Sequence, residues 1–430
     1  MPAGVVVRFK TTTTPGEAAR SLRHAGLWAA TEGIGDGQRR AAPRAGTGVR
    51  AAVRALRTDR RVAWASPDLP ARVSDFVPND TGRAARAGQA GGWQQVSWNL
   101  NGAFGIRAPL AWERARGAGV PGGRGVRVAV LDTGVAYANR GRYRRSPDLA
   151  AGRMLRGRDF VADDAYANDA NGHGTFVATT IAGSANNLYG MPGVAYAARI
   201  MPVRVLNSRG EGSSSRIAQG IRWAVRQGAQ VVNVSIELYD PVYFRAQSIT
   251  AAPEIRSALR FASSHRVVVV AAAGNAAASN VPSARLRHSI IYVGGTTEHG
   301  CLGDYSNHGA GLDLVAPGGG SDATVPGDAD CVADHSGRNI EQVTFRRSSP
   351  GRFLVPSDYK GTSMAAPHVT GVVALMLGTR ALGRRPTTAA VERHLAATAR
   401  DLGPPGRDRW YGAGLVDAAA ALGAPVQPPA

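Results

Sequence analysis

No apolar run in this 430-residue chain approaches the roughly 18 residues that a membrane-spanning helix needs; the longest, near residues 267–273 and 371–377, fall far short. The sequence therefore predicts no membrane span. Lysine occurs only at Lys10 and Lys360, so the formal net charge of +20 is carried almost wholly by arginine. Those arginines are scattered, without a long basic run or the pattern of a nucleic-acid-binding fold. With Ala and Gly so abundant, this usage fits a GC-rich coding sequence better than selection for phosphate contacts, and nucleic acid is not an expected partner. No Cys/His grouping with zinc or transition-metal spacing is visible. No internal repeat is apparent. The opening Met1-Pro2-Ala3-Gly4 runs straight into a strand pattern, without the basic and apolar regions of an export signal.

What is present suffices for a large core. The chain is longer than one typical domain and 44% hydrophobic, which predicts two domains. From about residue 100 to 425, apolar β-type runs at 126–131, 198–205, 231–236, 267–272 and 290–293 alternate with helical patterns, clearest at 217–227 and 253–264. Strands apolar on both faces predict an α/β fold with a mainly parallel sheet covered by helices. The first seventy or so residues differ, reading as strand 5–9, helix 15–24, helix 47–58 and strand 61–66, a small α+β unit with little core of its own. Residues 77–95, rich in Gly, Ala and Arg, read as a linker, and the proline-bearing tail 424–430 as disordered.

Chemistry enters at Gly361-Thr362-Ser363-Met364-Ala365-Ala366-Pro367-His368-Val369, a serine between a small-residue turn and a helix that reads as buried. Two earlier segments offer it partners. Val128-Ala129-Val130-Leu131-Asp132-Thr133-Gly134 is an apolar strand ending in a carboxylate, and Asn171-Gly172-His173-Gly174-Thr175 places an imidazole at a helix start. A serine hydroxyl is a poor nucleophile at neutral pH and needs a base such as His173 to take its proton, while a carboxylate such as Asp132 orients that base. Singly, each residue is more often a turn former or helix cap. A fourth segment, Val267-Val268-Val269-Val270-Ala271-Ala272-Ala273-Gly274-Asn275, is a buried strand followed by Gly-Asn.

These four segments, in the order Asp, His, Asn, Ser, resemble the boxes of the subtilisin-like serine proteases. The resemblance implies a three-layer subtilisin-like fold over residues 99–423 and an endopeptidase that works through an acyl-enzyme on Ser363, with Asn275 as oxyanion donor. A pseudo-protease that keeps the fold as a binding module is disfavoured by the intact Asp132, His173, Asn275 and Ser363. Protein or peptide substrates would add as an extended strand to two edges, Gly212 with Ser213, and Ser235-Ile236-Glu237 beside Ala273 and Gly274. Glu237 stands where relatives carry glycine, and selection of a basic substrate residue is one reading of it; a solvated carboxylate is the other. Calcium is the implied structural metal, held by Asp148 and by Asn187 in Ser184-Ala185-Asn186-Asn187-Leu188-Tyr189-Gly190, and no cofactor is needed for the chemistry. The acidic group Asp159, Asp163, Asp164 and Asp169 reads either as a second ion site or as a solvated loop.

Val62-Ala63-Trp64-Ala65-Ser66-Pro67-Asp68 is similar to the last strand of the family's inhibitory propeptides, so residues 1–72 read as a prodomain, 73–98 as the linker that is self-cleaved, and the zymogen's partner as its own prodomain. An accessory domain is the alternative. Cys301 and Cys331 flank a Gly-rich excursion and read as a disulfide if the chain is exported, or as two buried thiols. The resemblance places a monomeric enzyme outside the cell or in its envelope; the missing export signal leaves a cytoplasmic location as the alternative.

Overall fold

The structure is a computed structural model and describes residues 4–68, 76–85, 88–240, 245–279, 281 and 289–426. The chain divides into two compact units, Met1–Ser74 and Asp75–Ala430.

The first unit runs β1 (Val5–Phe9), α1 (Pro15–His24), β2 (Leu27–Gly35), β3 (Gln38–Pro43), α2 (Val49–Thr58) and β4 (Val62–Pro67). Its antiparallel sheet has the order β2-β3-β1-β4. Helix α1 starts where a capping box dictates: Thr14 accepts from the Glu17 N–H, Glu17 accepts from Thr14, and Pro15 opens the first turn. The β2–β3 hairpin replaces the connection expected between the two helices. Its signal was Asp36-Gly37, both at positive φ (51° and 68°), a two-residue pair that suits the twist of a tight hairpin. Val5, Val7, Leu22, Leu27, Val53 and Leu56 close a small apolar core.

The second unit is built on seven parallel strands: β5 (Arg127–Asp132), β6 (Arg158–Asp159), β7 (Arg199–Arg204), β8 (Val231–Val234), β9 (Val268–Ala272), β10 (Ile291–Thr296) and β11 (Leu314–Pro317). Their order is β11-β10-β9-β8-β5-β7-β6. Alternation explains the three layers. Val128 and Val130 of β5, with Val268, Val270 and Ala272 of β9, point into one core; Ala129, Leu131, Val269 and Ala271 point into the other. Helices α3 (His173–Ala182) and α6 (Thr362–Thr379) cover the first face, and α4 (Ser214–Arg226) and α5 (Pro253–Ser264) the second.

Two sequence expectations are corrected here. Within 73–98, residues 73–75 and 86–87 lie outside the described residues, but the rest is no linker. Trp93 is fully buried against Trp112, its indole N–H donates to the Pro78 carbonyl at 2.9 Å, Trp98 is buried, and so is Asp80. Aromatic anchors outweigh the Gly/Ala/Arg composition. The tail, too, begins later than residue 424: Ala424 is buried, its N–H donates to Ala419 O, and Arg107 donates to Pro425 O, while 427–430 lie outside the described residues. Cys301 and Cys331 are joined in a disulfide that closes a loop of about 30 residues, worth about 3–4 kcal/mol by chain entropy. Among the described residues, no helix is long and apolar enough to cross a membrane.

Candidate active site

Strand β5 carries its apolar side chains straight to Asp132, which is fully buried at the strand's carboxyl end, where open α/β sheets bind ligands. Helix α3 must start against it. Gly174 permits this approach, since a Cβ there would lie 2.1 Å from Gly134 O and 2.9 Å from the Asp132 Cβ. The result is a hydrogen bond in which His173 Nδ1–H donates to Asp132, 2.8 Å from Oδ1 and 3.0 Å from Oδ2. Because a carboxylate only accepts, the Nδ1 proton is assigned and Nε2 is left as the ring's base. Burial opposes the imidazolium, but the charge and hydrogen bond of Asp132, aided by the charge of Asp169, outweigh it and raise the His173 pKa above its usual value.

Asp169 is a positioning residue that its sequence context did not reveal. Buried, it accepts from Thr133 Oγ1 (2.9 Å), Asn171 N (2.8 Å), Gly172 N (3.0 Å), Thr175 N (2.9 Å) and Thr175 Oγ1 (2.6 Å). It thereby caps the Gly172 and Thr175 N–H groups at the start of α3, while His173 N donates to Asn171 Oδ1 and Gly174 N to Thr133 Oγ1, the residue after Asp132. The other acids of that group are engaged elsewhere: Asp159 with Arg204, Asp163 with Arg158, and Asp164 with Arg140. They form no common ion site.

Ser363 lies in the first turn of α6, where backbone N–H groups have no partner within the helix. Its Oγ donates to Ser235 O at 3.3 Å. A buried relay fixes the turn from behind: Thr370 Oγ1 donates to Asn233 Oδ1 (2.8 Å), Asn233 Nδ2 to Ser235 Oγ (2.9 Å), and Ser235 Oγ to Ser363 O (3.1 Å). Asn275 is exposed, and its amide orientation is settled by chemistry. Thr362 N–H and Oγ1–H both donate to its Oδ1, at 2.8 and 3.0 Å, which leaves Nδ2 as the outward donor. The neighbouring His368 is a core residue: burial pushes it down to about 4, Nδ1–H donates to Met364 O, and Nε2 accepts from Asn99 Nδ2.

Gly212, Ser213, Ile236 and Glu237 line one pocket of about 600 Å³ with Leu206, Ile217 and Leu238. The two predicted edges therefore meet. Ser235, Ala273 and Gly274 do not line that pocket. Ala273 O accepts from Asn307 Nδ2, and Gly274 N donates to Thr362 Oγ1 while its carbonyl accepts from Asn307 N, so these two residues are also tied into the fold by internal bonds. Glu237 is half-buried and folds across Gly274. Its Oε1 accepts from Asn307 Nδ2 at 3.1 Å and its Oε2 from Asn275 N at 3.4 Å; a Cβ on Gly274 would sit 2.3 Å from that carboxylate.

The sequence model of the Subtilase family matches residues 123–414. The chain belongs to the subtilase family. This subtilase is 35% identical over 330 residues to Subtilisin Savinase from Lederbergia lenta, which covers 76% of this chain and 99% of that protein. It is also 35% identical over 330 residues to Alkaline elastase YaB from Bacillus sp. (strain YaB), over 76% of this chain and 70% of that one. Among solved structures it is similar to a protease from Pseudoalteromonas arctica PAMC 21717, with TM-score 0.60 and 29% identity over 81% of this chain and 99% of that one. It is a subtilisin-like serine protease acting on proteins.

The subtilase's second polar cluster forms where Asp80 and Asp148, both earlier in the chain, meet Asn186 and Asn187 on the loop after α3. Asp148 is fully buried, its Oδ1 accepts from Asn187 Nδ2 at 2.8 Å, and its Oδ2 has no hydrogen-bond partner. Burial first, and the charge of Asp80 among lesser causes, push its pKa well up. Asp80 accepts from the Asn186 and Asn187 N–H groups and is itself raised to about 6 by burial. Asn187 turns its amide nitrogen to Asp148, and its oxygen accepts from Tyr189 N, so here it serves as a donor to the carboxylate and not as the oxygen ligand expected.

The Asp132–His173 pair sets a measurable outcome. Followed by NMR, His173 should titrate above its usual 6.5, so that it is imidazolium below that midpoint and neutral above it. In Asp132→Asn the favourable charge is lost and burial remains, so the midpoint should fall below 6.5. An unmoved midpoint would show that Asp132 does not control this imidazole.

Proposed function

We propose that Asp132, His173 and Ser363 act as a catalytic triad, with Asn275 Nδ2 and the Ser363 N–H as the oxyanion hole. The observation that carries this reading is the Asp132–His173 hydrogen bond, which leaves Nε2 unprotonated. Ser363 Oγ turns from Ser235 O, passes its proton to His173 Nε2 and attacks the scissile carbonyl carbon. Negative charge then gathers on the carbonyl oxygen, where Asn275 Nδ2–H and the first-turn N–H of α6 receive it. Collapse breaks the C–N bond, and the leaving amine takes the proton from His173. Water, deprotonated by the same Nε2, adds to the acyl carbon; the C–Oγ bond then breaks and Ser363 Oγ recovers the proton from His173. Substrate runs extended along the edges that bring Gly212 and Ser213 opposite Ile236 and Glu237.

The first unit is read as a prodomain, cut away by the enzyme itself. Phe76, Asp80 and Trp93 are packed into the peptidase unit, which favours a cut ahead of Phe76, in a stretch outside the described residues. The mature enzyme is read as a monomer working outside the cytoplasm. The Cys301–Cys331 bond supports that location, as does the relative titled "Extracellular protease" from Xanthomonas campestris pv. campestris, 34% identical over 362 residues.

Calcium fits the second cluster. Asp148 Oδ2, buried without a hydrogen-bond partner, and the charge of nearby buried Asp80 together offer the hard oxygen donors that calcium takes. These two residues would hold the ion, whose contribution is charge neutralisation and cross-linking of residues 80, 148 and 187, not chemistry. A chelator should lower the melting temperature and calcium restore it, and the calcium-dependent part should vanish in Asp148→Ala. A melting temperature indifferent to chelation would remove the metal.

Two activity measurements complete the reading. Ser363→Ala should neither process itself nor digest denatured protein, by the measure of subtilisin, where loss of the nucleophile costs about 10⁶-fold in kcat. Retained cutting by Ser363→Ala would end the triad reading. Glu237→Gln should lower cleavage after Arg or Lys relative to Leu on a peptide panel, and unchanged ratios would make Glu237 a structural partner of Asn307 only.

A further inference from the structure

At the base of the excursion closed by the disulfide, Asp322 from within the loop meets His299 before it and His335 after it, three side chains that sequence spacing kept apart. Asp322 is fully buried, and two imidazoles converge on it: His299 Nδ1 lies 3.1 and 3.0 Å from its Oδ1 and Oδ2, and His335 Nδ1 lies 3.2 Å from Oδ2. The rings stack, 3.9 Å between centroids and 8° from parallel. The candidate donor atoms of all three residues lie within 4.8 Å of one another. Two histidines separated by 36 positions, with an aspartate between them, present no motif, which is why the sequence reading found no transition-metal grouping.

Rings stacked this nearly parallel direct their in-plane lone pairs side by side, so the exposed His335 ring turns out of the stack for both Nδ1 atoms to face one cation. The distances suit one divalent cation shared by the three side chains. With metal–ligand bonds of about 2.0–2.1 Å, the edge of a tetrahedron is about 3.3 Å, close to the nitrogen–oxygen separations present. The surroundings hold the donors in place. Thr297 Oγ1 donates to Asp322 Oδ1 at 2.5 Å and accepts from His299 N, while Asp322 N donates to His335 O and Asp334 N to Asp322 O. Such outer hydrogen bonds orient ligands in metal sites generally. His335 is largely exposed, so the fourth position faces solvent. Nitrogen donors disfavour calcium and magnesium and suit zinc.

We propose that His299, Asp322 and His335 bind one divalent transition cation of the zinc class, through the two Nδ1 atoms and the Asp322 carboxylate, with a solvent molecule as fourth ligand. On binding, each neutral ring carries its proton on Nε2 in place of Nδ1, so the ligand atoms are freed without net loss of a proton from neutral imidazole. The cation acts as a second staple on the excursion fastened by Cys301–Cys331. The same excursion carries Gly318, whose carbonyl accepts from Gly361 N at the head of α6.

The test uses the full chain carrying Ser363→Ala, stripped with chelator and titrated with Co²⁺ and then Zn²⁺. One Co²⁺ per chain is expected, with the intense visible absorption of a four-coordinate site, displaced by an equivalent of Zn²⁺ and accompanied by a higher melting temperature. Thr297→Val should weaken binding by about 10-fold. His335→Ala, at an exposed ring, should keep the metal-free melting temperature and abolish the absorption. Absence of stoichiometric Co²⁺ or Zn²⁺ binding, or binding that survives both His335→Ala and His299→Ala, overturns the proposal. None of these readouts depends on proteolysis, so failure here and failure of the triad are told apart.

Discussion

The burial of one helix constrains everything around the active site. Helix α6 is apolar on every side, with residues from Thr362 to Met376 packed into the core except Ser363, which is half-exposed at its amino end. A helix so placed cannot shift or rotate without exposing Val369, Val372, Val373 or Leu375, each worth about 1.5–3 kcal/mol when removed from water. Ser363 therefore inherits its position from packing that extends about three and a half turns behind it, as far as Met376. The Asn233–Thr370 hydrogen bond links that packing to β8, and the Ser235–Ser363 bond brings the substrate edge into register with the same helix.

The remaining groups of the site approach this fixed point by hydrogen bonding. Asp132 comes with the sheet, and His173 comes with α3, whose start is fastened by the five hydrogen bonds that Asp169 accepts. Asn275 is clamped by Thr362, the residue before Ser363, so that the outward amide nitrogen and the serine N–H belong to one rigid constellation. In the proposed oxyanion hole, such donors would need no reorganisation as charge develops, which is the physical content of preorganisation.

Local patterns made the four boxes legible because each is a self-contained strand-to-turn or turn-to-helix transition. Apolar runs ending in Asp132 or Gly274-Asn275, and small residues around His173 and Ser363, encode strand ends and helix starts directly. What stayed hidden depends on partners distant in sequence. Asp169 read as one of four loop acids until Thr133 and Thr175 were seen to donate to it, and Asp80, set in a stretch composed like a linker, acquires meaning only beside residues 186 and 187. Composition misled at residues 76–98 because two buried tryptophans decide the packing there. The internal bonds of Ala273 and Gly274 were hidden for a similar reason: their partner, Asn307, lies more than thirty residues away.

Glu237 shows how one residue outside the family pattern alters the electrostatics of a shared site. Its carboxylate accepts from the main-chain N–H of Asn275, the residue whose side chain is proposed to receive the oxyanion. Two negative charges sharing a site repel, by about 4 kcal/mol at 4 Å and an effective dielectric of about 20, and by less as the separation grows. A permanent anion there would therefore oppose the transition state for a neutral substrate. A cationic side chain bound against Glu237 offsets that repulsion, and it does so most strongly when the oxyanion has formed and water is excluded. Asn307 and the Asn275 N–H offset part of it at all times, so the discrimination expected is moderate. On the proposed reading, the carboxylate would distinguish substrates less by attracting the basic ones than by withholding stabilisation from the rest.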